Sequence, residues 1–201
     1  MKPFTLLLLA VVPFAACQKA AKVSPKNITP PATVPVSNPV TSTIVTDTLA
    51  DNAGLKILIA KDSINTDETM LLFDKTANPG YDPMEDGRYF MGNGQVNIAS
   101  ICKDGTDMAI SRLPYTPGKT IGLYIRTKTD GEYLLKISYE KDFPENKHVW
   151  LRDTYLKDSL DLRKGNYIFN VAKADTNTFG SKRFQLVIKA RDEQQTVTTH
   201  K

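Results

Sequence analysis

The chain has 201 residues and a formal net charge of +4, and 24% of its residues are charged. Its two cysteines are too few for a disulfide framework, and its two histidines are too far apart in sequence to count as a metal site. No basic run is interleaved with aromatic residues, so we predict no nucleic-acid partner. The length allows one domain with a sizeable core.

The N-terminal residues have the pattern of an export signal. Lys2 precedes an apolar run from Phe4 to Ala16, and Cys17 follows this run directly. The run has thirteen residues, whereas about 20 are needed to cross a bilayer as a helix. We therefore predict a signal peptide over residues 1–16.

The residues Phe14-Ala15-Ala16-Cys17 resemble the lipobox of bacterial lipoproteins, with Phe14 in place of the usual leucine. This resemblance implies cleavage before Cys17 and attachment of lipid to its sulfur. We expect a protein of the cell envelope that is anchored by lipid to a bacterial membrane. We predict that this membrane is the outer membrane. Periplasmic and surface-facing orientations both stay open. The alternative is a plain secretory signal followed by an incidental cysteine.

Residues 17–47 are predicted to be the lipidated cysteine and a linker. The stretch Gln18–Thr46 contains five prolines, no aromatic residue and no hydrophobic period. Proline favours extended conformers, so at about 3.1 Å per residue such a linker reaches roughly 90 Å. This reach would let a domain stand clear of a membrane surface. From Thr48 onward the chain carries 22 basic and 21 acidic residues, so the remainder is almost neutral.

Residues 48–192 are predicted to form an all-β domain, and residues 193–201 a flexible tail. Apolar and polar residues alternate repeatedly, which predicts antiparallel strands with one face against a core. In one such stretch, Tyr133, Leu135, Ile137 and Tyr139 share a face. Asp104-Gly105 and Asp130-Gly131 favour tight turns between strands.

Nine strands are predicted, and their near-regular spacing fits an antiparallel two-sheet β-sandwich. They are Leu55–Ala60, Thr69–Phe73, Gln95–Cys102, Met108–Leu113, Ile121–Arg126, Tyr133–Glu140, His148–Thr154, Tyr167–Ala172 and Phe184–Arg191. The best helical candidate, Tyr155–Arg163, is short and has no clear apolar stripe.

Several short motifs occur in a characteristic order over residues 55–190. They are Asp67–Phe73, Gly80–Pro83, Asp86 with Tyr89, Met108–Pro114, Gly131–Tyr133, Val149–Asp153, Asp161-Leu162 with Tyr167–Phe169, and Arg183-Phe184. This order resembles a β-sandwich module of surface proteins from bacteria that use type IX secretion. In that family the module is a non-catalytic structural or adhesive unit, often followed by a C-terminal sorting domain. We expect no sorting domain here, because only about ten residues follow the last predicted strand, and lipid on Cys17 would provide attachment instead.

The densest set of candidate ligand-binding residues lies between residues 81 and 90. Its carboxylates, on Asp82, Glu85 and Asp86, are the type of ligand that Ca²⁺ prefers, but their spacing matches no EF-hand loop. We favour an acidic surface loop over a metal site. Tyr81, Tyr89 and Phe90 could instead stack on a sugar ring while the carboxylates accept hydrogen bonds from its hydroxyl groups.

Trp150 is the remaining candidate ligand-binding residue. It alternates with Val149 and Leu151 and therefore faces away from them. We expect it to be half-buried, and the alternative is an exposed platform for a ligand.

Catalytic motifs are absent from the sequence: there is no Gly-x-Ser-x-Gly, no His-Glu-x-x-His and no phosphate-binding glycine loop. Cys102 follows the apolar Ile101, and the sequence suggests no catalytic partner for it, so we expect a buried, unreactive thiol. His148 is expected at a solvated strand edge, and His200 in the tail. We predict no catalytic residue, no metal and no cofactor.

We therefore predict that the protein is not an enzyme. The favoured function is a lipid-anchored β-sandwich for structural or adhesive interaction with a cell-surface protein. The alternative is a carbohydrate-binding module whose contact surface combines the 81–90 loop with Trp150. A hydrolase is the least favoured hypothesis.

Overall fold

The computed structural model describes residues 47–190. The predicted signal peptide, Cys17, the linker up to residue 46 and the tail from residue 191 lie outside the described residues. The described part contains eleven β-strands, one three-residue 3₁₀ turn and no α-helix, which confirms the all-β prediction. Within residues 47–190, no helix has the length and apolar character needed to span a membrane.

All nine predicted strands are present, and two short strands were not predicted. The strands are β1 (Ala53–Ala60), β2 (Thr66–Phe73), β3 (Gly87–Arg88), β4 (Val96–Ile101), β5 (Asp107–Leu113), β6 (Thr120–Thr127), β7 (Gly131–Lys141), β8 (Lys147–Asp153), β9 (Asp158–Asp161), β10 (Tyr167–Val171) and β11 (Gly180–Ala190). Strands β3 and β9, of two and four residues, are too short for an alternating pattern. The helical candidate Tyr155–Arg163 is instead a turn followed by β9.

The strands form one sheet in the order β10-β7-β1-β2-β5-β4-β6-β11-β8-β9, with β3 paired to β5 outside this path. The predicted division into two separate sheets is therefore not confirmed. The sheet curls into a barrel-like form around one core. The ring centroids of Phe169 on β10 and Phe184 on β11 lie 4.7 Å apart, although six strands separate them in the sheet order.

Strand β5 connects the two halves of this sheet. Met108 pairs with both β4 and β3, whereas Ile110 pairs with both β2 and β3. Because a strand has only two edges, β4 and β2 must use the same edge of β5 in succession. The pairing of β2 with β5 is also the one parallel pairing among the described strands.

Polar side chains bridge β2 and β4 where the two strands approach without a backbone ladder. Asp67 Oδ2 accepts a hydrogen bond from the backbone N–H of Ile98 at 2.9 Å. The Thr69 hydroxyl accepts one from the Ser100 N–H at 3.2 Å and donates to the Met108 carbonyl at 3.0 Å. Buried backbone groups that lack a strand partner are thereby satisfied.

The core consists of the inward-facing apolar residues of both halves of the sheet. The side chains with no exposure include Leu55, Ile57, Ile59, Leu71, Ile98, Leu123, Ile125, Leu135, Val149, Leu151, Phe184 and Leu186. The predicted face of β7 is correct as far as Ile137. A register shift opposite Lys56-Ile57 then leaves Tyr139 exposed, because a bulge changes which residues face inward.

An ion pair between Arg183 on β11 and Asp153 on β8 lies inside this fold, with side chains 1% and 0% exposed. Asp153 accepts from Arg183 Nη2 at 2.8 Å and from the Tyr167 hydroxyl at 3.1 Å. Arg183 Nη1 donates to the carbonyls of Asn170 at 2.8 Å and Thr178 at 2.5 Å. Because Tyr167 and Asn170 belong to β10, these bonds connect the two end regions of the sheet.

Replacing Asp153 with alanine is expected to lower the free energy of unfolding by about 3–5 kcal/mol, because the buried Arg183 charge loses its partner. Urea denaturation followed by circular dichroism measures this loss. Arg152→Ala, at the exposed neighbouring position, is the control and should change stability by about 0.5 kcal/mol or less. A loss below about 1 kcal/mol for Asp153→Ala would show that the pair is dispensable.

Candidate functional site

The 81–90 loop is held to the sheet by the Asp86 carboxylate. Its Oδ1 accepts a hydrogen bond from the backbone N–H of Arg112 on β5 at 2.7 Å. Its Oδ2 accepts one from the N–H of Asp82 at 2.8 Å, and the Asp86 N–H donates back to the Asp82 carbonyl at 2.8 Å. Asp86 is therefore an anchor of the loop, since both of its oxygens are in use.

The other two carboxylates of the loop have separate roles. Asp82 Oδ1 accepts from the N–H of Met84 at 2.9 Å, which stabilises the turn. Glu85 is exposed, and its Oε1 lies 3.8 Å from Arg112 Nη1. In the part of the chain that the structure describes, no group of three or more His, Cys, Asp or Glu side chains is arranged to hold a metal.

The aromatic residues of the loop differ in accessibility. Tyr81 is half-buried, and the guanidinium carbon of Arg88 lies 6.0 Å from its ring centroid. Tyr89 is half-buried, and burial, together with the charge of Asp67, raises its pKa to about 12. Its hydroxyl is buried without a hydrogen-bond partner among the described residues. These two rings are therefore poor candidates for stacking on a ligand.

The exposed side chains of this segment are apolar instead. Met84 is 90% exposed, Phe90 82% and Met91 56%. Exposed methionine and phenylalanine side chains favour contact with another macromolecule, because methionine adapts its shape to different apolar partners.

Trp150 is half-buried and lies opposite the fully buried Val149 and Leu151, as its position in the strand predicts. Its indole Nε1 is buried and has no hydrogen-bond partner in the described range. Its ring centroid lies 5.6 Å from that of His148. Trp150 lies on β8, and the 81–90 loop is bonded to β5, which is four positions from β8 in the sheet order. That these residues bind a ligand stays a prediction.

His148 is buried rather than solvated, so the prediction for this residue is wrong. Its Nδ1 lies 2.6 Å from Asp161 Oδ2 on the neighbouring strand β9, and it donates to the carboxylate if Asp161 is ionised. Burial opposes ionisation of Asp161, but hydrogen bonds from His148 and from the N–H groups of Val149 and Arg163 lower its pKa below the ordinary 3.8. Because β9 itself was not predicted, the partner of His148 was not visible in the sequence.

Cys102 is half-buried, whereas its sequence context predicts a buried thiol. Burial, followed by the charges of Asp86 and Asp104, raises the pKa of its thiol to about 11. The thiolate is the reactive form of cysteine, so this environment disfavours nucleophilic chemistry.

Comparisons of the chain with protein-family models, curated proteins and solved structures find no match. The resemblances to a lipobox and to the type IX-associated module therefore stay predictions.

Sequence reasoning missed a cleft of about 590 Å³ beside the turn between β8 and β9. Tyr155 forms one side of the cleft, and the segment from Thr176 to Lys182 forms another. The sequence signal was the polar, turn-rich run Asp175–Gly180, which lies outside the predicted strands. Tyr155 itself was assigned to the best helical candidate.

Replacing Asp86 with asparagine is expected to loosen the loop, because an amide offers one oxygen where the carboxylate offers two. Backbone amide exchange at Asp82 or Arg112 should accelerate by about fivefold, the equivalent of one hydrogen bond of about 1 kcal/mol. Glu85→Gln, in the same loop, is the control and should leave both amides unchanged. Unchanged exchange at both positions in Asp86→Asn would contradict the anchor role.

Asp161→Asn tests whether the His148–Asp161 pair is structural. A carboxyl whose pKa is lowered on folding stabilises the fold above its unfolded pKa, and this stability is lost as pH falls through the folded pKa. The difference in unfolding free energy between wild type and variant should therefore be constant above about pH 5 and shrink below about pH 4. Urea denaturation at several pH values measures it. Asp158→Asn, at an exposed position of β9, is the control, and a difference for Asp161→Asn that does not vary with pH would refute the assignment.

Proposed function

We propose that this chain is a lipid-anchored envelope protein whose β-domain makes non-catalytic structural or adhesive contacts with a protein at the cell surface or in the periplasm. The sequence observation that carries the proposal is Cys17 at the end of an export signal, followed by a proline-rich linker. The membrane is one partner in this proposal, through lipid on Cys17, and the contacted envelope protein is the other.

The domain's attachment to its linker supports this proposal. Asp47, the last residue of the predicted linker, pairs with the buried Lys147 ammonium. Its carboxylate also accepts from the Tyr115 hydroxyl at 3.0 Å and from the Ala190 N–H at 3.3 Å. Asp47 is therefore bonded to strands β8 and β11. A force applied through a tether would reach the sheet at this residue.

We further propose that the fold is a sandwich-like arrangement with two layers joined through β5. The layers would be β10-β7-β1-β2 and β4-β6-β11-β8-β9. The support is the edge of β5, which β4 and β2 share in succession, because strands that switch layers are a known feature of sandwiches. A sandwich with a dense aliphatic core suits a domain whose role is mechanical.

The environment of the ionisable residues supports a non-catalytic role. Asp153 pairs with the buried Arg183, and Asp161 pairs with the buried His148, so both carboxylates have structural partners. The pKa of the Cys102 thiol is raised, which disfavours the reactive thiolate. The exposed Met84 and Phe90 supply an apolar contact on the 81–90 loop. The combined surface of that loop and Trp150, suggested for carbohydrate binding, is not part of the proposal, since Tyr81 and Tyr89 are both half-buried.

Cys17→Ser tests the anchor. In bacteria expressing the full chain, wild type should incorporate labelled palmitate and fractionate with membranes, whereas Cys17→Ser should carry no label and appear in the soluble fraction. Cys102→Ser is the matched control, because it removes the other thiol, and it should behave as wild type. Membrane association and labelling that persist in Cys17→Ser would overturn the proposal.

A further inference from the structure

We propose that the cleft beside Tyr155 binds an acidic saccharide, with the Tyr155 ring as a stacking platform and Lys182 as the partner of the sugar carboxylate. The cleft is lined by Thr154, Tyr155, Asn177, Phe179, Ser181 and Lys182, among others. Its volume of about 590 Å³ lies within the range of roughly 300–1,000 Å³ that is typical of ligand sites. The inference is independent of the lipid anchor, because it concerns only residues of the β-domain.

Tyr155 is fixed in place before any ligand arrives. Its backbone N–H donates to Asp153 Oδ1 at 3.0 Å, and its hydroxyl donates to Asp175 Oδ2 at 3.0 Å. The guanidinium carbon of Arg183 lies 5.2 Å from the ring centroid, so one side of the ring is held by the buried ion pair. The side chain is nevertheless 44% exposed. A rigid, partly exposed aromatic ring loses little entropy when a sugar ring stacks on it.

The opposite wall presents polar groups that are free to bind. Asn177 Nδ2 donates to Asp175 Oδ1 at 2.8 Å, which fixes the amide and leaves its oxygen as an acceptor. Ser181 is exposed and follows Gly180, whose φ of +93° turns the backbone at this point. No atom lies within 4 Å of the position where a Gly180 Cβ would be, so the space beside this turn is open. Hydroxyl and amide groups around an aromatic ring match the alternating hydroxyl groups and apolar faces of a pyranose.

The charge of the lining favours an acidic sugar over a neutral one. The lining includes Lys182 and Arg183 and no acidic side chain, and the adjoining Asp175 carboxylate already accepts hydrogen bonds from the Tyr155 hydroxyl and the Asn177 amide. Arg183 is neutralised by Asp153, whereas Lys182 is exposed and has no ion-pair partner in residues 47–190. A carboxylate on the ligand would pair with this ammonium, and a charge-assisted hydrogen bond is about twice as strong as a neutral one.

The experiment uses the full-length protein in detergent and a panel of uronate- and sialate-containing oligosaccharides, each paired with its neutral methyl ester. Titration calorimetry measures the affinity for each member of a pair. At least one acid should bind, and its methyl ester should bind about tenfold more weakly, because esterification removes the charge but keeps the ring. Raising the salt concentration should weaken binding of the acid and leave binding of the ester unchanged. No binding of any acidic saccharide, or equal binding of acid and ester, would overturn the proposal.

Two variants locate the site on the structure. Tyr155→Ala should abolish binding of both acid and ester. Lys182→Gln should weaken binding of the acid until its affinity equals that of the ester. Lys157→Gln is the matched control, because Lys157 is exposed in the same region but does not line the cleft. Circular dichroism confirms that each variant is folded. Binding that survives both Tyr155→Ala and Lys182→Gln in folded protein would place the saccharide elsewhere and refute the assignment.

Discussion

One buried ion pair connects the two end regions of the curled sheet. Arg183 and Asp153 lie on adjacent strands near one end of the sheet, and their hydrogen bonds extend to Tyr167 and Asn170 at the other end. Removing two charges from water is costly, and the cost is offset only when the remaining donors and acceptors are also satisfied. Here the guanidinium has carboxylate and carbonyl partners, and the aromatic rings of Phe169 and Phe184 lie within 4.9 Å and 4.7 Å of its central carbon. The pair therefore fixes how β10 sits against β8 and β11, because hydrogen bonds require a defined geometry and apolar packing alone does not.

At the junction between the two halves of the sheet, the polar interactions are different in kind. Strand β5 changes partner from β4 to β2 within a few residues, and such a change leaves backbone groups without a ladder. Asp67 and Thr69 accept from β4 at this point and replace the missing backbone acceptors. A junction satisfied by side chains retains the cooperativity of a continuous sheet.

The sequence predicts the strands well because their signal is local. Alternation over a few residues identified all nine of the longer strands, and it also placed Trp150 opposite Val149 and Leu151. Sheet order depends on contacts between distant residues, so the sequence alone did not reveal that β5 joins the two halves. Nor did it reveal the partner of His148, because Asp161 lies on a strand too short to show a period.

The candidate site was harder to predict for the same reason. In the 81–90 loop, the sequence shows three carboxylates and two tyrosines but not that Asp86 is occupied by backbone donors or that the Tyr89 hydroxyl is buried. The Tyr155 cleft combines residues 154–155 with residues 176–183, which alternation does not connect.

Asp153 Oδ1 accepts from Arg183 Nε at 3.1 Å and from the Tyr155 N–H at 3.0 Å. The carboxylate that pairs with Arg183 therefore also orients the backbone of Tyr155, which couples the geometry of the cleft to the buried ion pair.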